Sequence, residues 1–161
     1  MTDGASETLE LKLEDFLPYR LNVVAALSSQ ALSQTYAPRY GISVPEWRVL
    51  VTLGQYGEMT GKAVGEHSHM HKTKVSRAVA LLQERGLVAR KTNRQDLREA
   101  LLSLTPTGRG IYRDLVPAAL NFSRALLDSL DPAERAAFDR ALQKLTERSR
   151  ALAANGSAKG V

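Results

Sequence analysis

Lys72-Thr73-Lys74-Val75-Ser76-Arg77-Ala78-Val79-Ala80-Leu81-Leu82-Gln83-Glu84-Arg85-Gly86-Leu87-Val88 is the stretch whose reading decides the fold. At 100° per residue Val75, Val79 and Leu82 fall on one side, flanked by Ala78, which makes a buried face. Thr73, Ser76, Arg77, Ala80 and Glu84 fall opposite. That outer face has short side chains, an alanine at its centre and one arginine, where an ordinary solvated face carries long Glu and Lys. Short groups permit close approach to the major groove, and arginine can bond guanine through two hydrogen bonds. Gly86 is the expected C-cap, so the helix is read as Lys72 to Arg85.

Outward in the C-terminal direction, two strands are expected, Leu87 to Lys91 and Ala100 to Leu104, with Leu102 and Leu104 on one face. The loop Thr92-Asn93-Arg94-Gln95-Asp96-Leu97-Arg98 joins them. An arginine at such a tip can enter a minor groove, where negative potential is concentrated. Asp96, two residues away, is read as the carboxylate that holds the Arg98 guanidinium in place. Thr105 and Pro106 are a cap and first-turn pair opening a long helix, with a kink expected at Pro117. Asp131, Pro132 and Glu134 open the last helix.

Outward in the N-terminal direction, Thr60 is expected to cap a short helix through Ala63 and Val64. Ser43, Pro45 and Glu46 form a capping-box pattern before Trp47, Val49, Leu50 and Leu53. A first helix of roughly 24 residues is read from Leu13, ending before Pro38 and Gly41. The turn His67-Ser68-His69-Met70-His71 is open to three readings: polar turn residues or phosphate contacts, a proton-sensitive DNA contact, or metal ligands. His71 is a weak N-cap residue, which leaves the start of the following helix unsettled.

Charge follows the same geography. Residues 72–98 hold eight basic side chains (Lys72, Lys74, Arg77, Arg85, Arg90, Lys91, Arg94, Arg98) and two acidic ones, a net +6 in a chain of net +5. All the positive excess therefore lies on one helix and hairpin, the electrostatic footprint of a polyanion binder. The 161 residues contain no cysteine, which removes disulfides, thiolate metal sites and thiol-based sensing. No nucleophile-elbow, metalloprotease, P-loop or dinucleotide motif is present, so neither an enzyme nor a cofactor is expected. The first seven residues lack signal-peptide features and no run of 18 apolar residues exists, so a cytoplasmic chain without membrane contact is expected.

Lys72-Thr73-Lys74-Val75-Ser76-Arg77 and Leu81 to Val88 resemble the recognition helix and first wing strand of MarR-type regulators. Arg94-Gln95-Asp96-Leu97-Arg98 followed by Leu102-Ser103-Leu104-Thr105-Pro106-Thr107-Gly108 is similar to that family's wing and fifth helix. The resemblance implies a mainly α fold with a β-hairpin wing, assembled as a homodimer on pseudo-palindromic double-stranded DNA. By position, Lys72, Thr73, Lys74, Ser76 and Arg77 would face the major groove or phosphates, Arg94 the backbone and Arg98 the minor groove, with Asp96 orienting Arg98. It also implies release of DNA by a small anionic or phenolic effector in a cleft holding Phe16, Tyr19, Arg20, Tyr36, Trp47 and Phe122. The division expected is a disordered start over 1–10, dimerisation helices over 11–40 and 106–152, a winged helix-turn-helix lobe over 43–105, and a flexible tail over 153–161. Long apolar stripes near both chain ends support dimerisation separately. A winged-helix protein-interaction module is the alternative function.

Overall fold

The computed structural model describes residues 10–94, 96 and 98–157. Expectations for residues 1–9 and 158–161 lie outside the described residues. A short 3-10 turn at Leu13–Asp15 leads into α1 (Leu17–Tyr40), then α2 (Val44–Tyr56), β1 (Met59–Thr60), α3 (Gly61–Ser68) and α4 (Lys72–Glu84). The hairpin strands β2 (Val88–Thr92) and β3 (Ala100–Leu104) follow, then α5 (Pro106–Leu127) and α6 (Pro132–Ser157). The architecture is a mainly helical winged helix-turn-helix, as the sequence indicates.

The chain divides into two compact units, Met1–Ala119 and Leu120–Val161. In the first, Leu50 and Leu53 of α2, Val64 of α3, Val75, Val79 and Leu82 of α4, and Leu102 and Leu104 of β3 bury together with Tyr36 and Leu115. In the second, the Asp131 carboxylate accepts from the Ala133 and Glu134 N–H groups at 2.8 and 2.9 Å, and the Asp131 N–H donates to Glu134 at 2.8 Å. That reciprocal cap starts α6 at the residue the sequence predicts.

The structure moves several boundaries. α1 does not end before Pro38 but passes through it to Tyr40, and the chain leaves through Gly41 at φ 59°. A proline in the last turn removes one backbone donor, and the left-handed glycine supplies the stop. α5 keeps the expected course, running through Pro117 to Leu127. α6 reaches Ser157, past the expected end at 152. Met59–Thr60 is a strand that sequence reading missed: it pairs with Leu102 and Leu101, so the sheet has three strands in the order β1-β3-β2. Two residues are too few to show a period of two. Gly108 packs so tightly that an added Cβ would sit 2.0 Å from the Leu87 carbonyl oxygen.

Candidate nucleic-acid interface

α3, a three-residue turn and α4 place the outer face of α4 in solvent. Thr60 caps α3, its hydroxyl accepting from the Ala63 N–H at 3.2 Å. α3 closes on His69 at φ 50° and ψ 44°, the one positive-φ residue other than glycine among the described residues. His71 does take the N-cap position of α4: its Nδ1 accepts from the Thr73 N–H at 3.4 Å, a long bond. Recognition-helix geometry is therefore reached with a histidine where aspartate or serine would cap better. His67 stacks on Tyr56 at 4.2 Å. The three histidines thus do three separate jobs. No group of three His, Cys, Asp or Glu among the described residues could hold a metal ion.

Along α4 the division of faces follows the period. Val75, Ala78, Val79 and Leu82 are buried, whereas Lys72, Thr73, Lys74, Ser76, Arg77 and Ala80 are exposed. In the wing, Asp96 grips Arg98 three ways. Its Oδ1 accepts from the Arg98 backbone N–H and from Nε, each at 3.0 Å, and its Oδ2 accepts from Nη2 at 2.9 Å. These hydrogen bonds hold the Asp96 carboxyl below its ordinary value and raise the guanidinium above its own. The Arg98 side chain is still 88% exposed, so the carboxylate fixes its pose without hiding it. Arg94 is exposed as well.

Between α4, the start of α3 and the sheet lies an open cleft of about 700 Å³, lined by Lys62, Lys72, Ser76, Gln83, Arg90 and Arg98 among others. Lys62, Gln83 and Arg90 were not among the contacts read from sequence. Arg90 could have been: it sits two residues after buried Val88, and it pairs with Leu102, so period two puts it on the face towards α4. Lys91, on the other face, is tied to Glu58 at 2.6 Å.

The six residues read as an effector cleft separate. Tyr36 is buried and stacks on half-buried Trp47 at 5.0 Å. Its hydroxyl has no hydrogen-bond partner among the described residues, and burial pushes it up to about 12 against the opposing charge of Arg48. Phe16, Tyr19 and Arg20 are exposed near the start of α1. Sixteen residues separate Arg20 from Tyr36. At 1.5 Å per residue that is about 24 Å of helix, too far for one small ligand to touch both groups within one protomer. Phe122 belongs to the second unit. A different groove, about 520 Å³, lies against α1 and α2 and is lined by Asn22, Ser29, Ser33, Arg48, His71 and Lys74 among others. Arg48 Nη2 donates to Ser29 Oγ there at 3.4 Å.

Comparison with known proteins agrees with this geometry. The profile of the MarR family matches residues 40–99, from the end of α1 to the wing tip. The chain is 28% identical over 122 residues to YwoH, a helix-turn-helix-type transcriptional regulator of Bacillus subtilis, covering 76% of this chain and 88% of that one. Among solved structures it is similar to a MarR-family regulator from Silicibacter pomeroyi (TM-score 0.70, 28% identity, 85% of this chain and 94% of the other). It is also similar to BpsR of Bordetella bronchiseptica, whose DNA binding is regulated by 6-hydroxynicotinic acid (TM-score 0.72, 25% identity, 81% and 98% covered). No described helix is long and apolar enough to cross a membrane.

Proposed function

We propose, from the premise that this chain belongs to the MarR family of winged helix-turn-helix transcriptional regulators, that it binds a pseudo-palindromic operator as a homodimer and acts as a repressor. The observation that carries this reading is one basic cleft with two different DNA-reading devices on its walls. On one wall are Lys72, Ser76 and Ala80 from the edge of α4's outer face; on the other is an exposed arginine locked by its neighbouring carboxylate. α4 enters the major groove, with Ser76 and Arg77 at base edges and Lys72, Thr73 and Lys74 at bases or phosphates. Arg98 enters the flanking minor groove, oriented by Asp96, while Arg94 meets the backbone. Lys62 and Arg90 join them as phosphate contacts along the cleft.

Dimerisation falls to residues 11–40 and 106–152, and DNA binding to 43–105. α1 leaves Leu17, Leu21, Val24 and Leu27 between 40% and 60% exposed. In the second unit Leu126, Phe138, Leu142 and Leu145 are exposed as well. A second copy covering such stripes removes apolar surface from water. Twofold symmetry then sets half-sites about one DNA turn, roughly 34 Å, apart.

An anionic effector fits the α1–α2 groove better than the six residues first read as a cleft. Arg48, Lys74 and His71 supply cationic or donor groups, and the last two also belong to the start of the recognition helix, so occupancy there would bias α4 directly. Without cysteine, thiol oxidation cannot be the signal. The function is tested by anisotropy with duplex fragments selected from genomic DNA and with random duplex. Arg77→Ala is expected to cost about 1–3 kcal/mol of discrimination between them. Equal loss on both would make Arg77 a phosphate contact.

A further inference from the structure

Three helix ends converge on one side chain away from the cleft. Arg85 is the C-cap residue of α4. Its Nη1 donates to the Gly41 carbonyl at 3.2 Å, and its Nη2 donates to the Tyr40 carbonyl. Carbonyls at a helix end have no partner within the helix and carry the negative end of its dipole, so a guanidinium suits them. The same Nη1 lies 3.6 Å from Glu46 Oε1. The other oxygen of Glu46 caps α2, accepting from the Ser43 N–H at 2.9 Å and its hydroxyl at 2.5 Å. The Glu46 side chain is 7% exposed and that of Arg85 37%, so the carboxylate is buried beneath a guanidinium that still meets solvent.

The contact continues into α5. The Tyr40 hydroxyl donates to Asp114 Oδ2 at 2.9 Å, and Arg39 pairs with the same oxygen at 3.4 Å. Tyr40 thus holds α5 through its hydroxyl and the end of α4 through its backbone carbonyl, so one residue ties two helices assigned above to dimerisation to the end of the recognition helix.

We propose that Arg85 is a positioning residue for DNA binding: it fixes the angle of α4 against α1 and α2, and so aligns the recognition helix with the groove without touching DNA. The proposal rests on the DNA-binding reading. The guanidinium meets the two carbonyls with two nitrogens at fixed spacing; the single nitrogen of an ammonium has the charge but cannot occupy both positions.

The test compares the full-length wild type with Arg85→Met and Arg85→Lys. Binding to one duplex is followed by anisotropy across a salt series, beside thermal melts, at a temperature where each variant is folded. Both variants are expected to bind about tenfold more weakly at fixed salt. Their slopes of log affinity against log salt should match wild type, because no phosphate contact has been lost. A direct phosphate contact would instead lower the slope by about 0.9 in Arg85→Met and be restored in Arg85→Lys, which overturns the proposal. Lowered melting temperatures with unchanged affinity would also overturn it, leaving Arg85 a stabilising contact only. If Arg85→Met does not fold, Arg85→Lys alone decides between these outcomes. Wild type that binds while the variants bind equally well defeats this proposal alone; wild type that ignores duplex DNA defeats it together with the reading beneath it.

Discussion

Asp96 and Arg98 form a pair in which one carboxylate fixes the pose of an exposed guanidinium, the pose proposed above for the minor groove. A free arginine at a hairpin tip samples many rotamers, and ordering it on binding costs about 0.5–1.5 kcal/mol. Asp96 supplies that order in advance through two side-chain hydrogen bonds and one to the backbone. Arg98→Ala removes the charged contact itself and is expected to weaken binding about 10- to 100-fold, most on sites with A·T-rich flanks. Asp96→Asn leaves the guanidinium in place and should cost only about two- to tenfold. The sign of the pH effect follows from the lowered Asp96 carboxyl. The pair is intact above the ordinary carboxyl value near 4 and is lost only as pH falls through the depressed one. The affinity ratio of wild type to Asp96→Asn should therefore be flat between pH 5 and 8, as an anisotropy series would show. A ratio that collapses within that window would mean another group holds Arg98.

At the scale of elements, the α3–α4 turn and the α5 start make opposite demands on glycine. His69 occupies a left-handed position that costs a side chain roughly 1 kcal/mol, so His69→Gly should raise the melting temperature by about 2–4 °C. Gly108→Ala should destabilise strongly, because its Cβ would meet backbone that cannot step aside. Calorimetry on the two variants checks both signs. The same elements show what sequence could reveal. The faces of α4, the span of β3 and the caps at Ser43, Thr60, Thr105 and Asp131 were legible because periodicity and capping are local. β1 was not, since a two-residue strand exists only through its pairing with β3. The end of α1 was misplaced because Pro38 signals a stop that only Gly41 enforces. Arg90 was passed over for the wing tip although alternation from Val88 places it on the cleft side of the sheet. Of the six residues read as an effector cleft, Arg20 and Tyr36 lie too far apart along α1 to share one small ligand within a protomer, a distance the sequence spacing already contained.

For the whole molecule the decisive feature is where charge and apolar surface lie. The first is gathered on α4 and the wing; the second is left open along α1 and, within the second unit, along α6. A homodimer uses both, and sedimentation should report a dimer at micromolar protein, with a monomer contradicting the assembly. The proposed seating of two basic clefts on successive turns of B-form DNA would neutralise many phosphates at once. The salt dependence of binding to genomic duplex fragments tests that most directly. With six to ten phosphate contacts, affinity should fall by about 10³ to 10⁵ between 50 and 200 mM salt. Absence of binding at 50 mM salt, or an affinity that barely changes across the range, would contradict it.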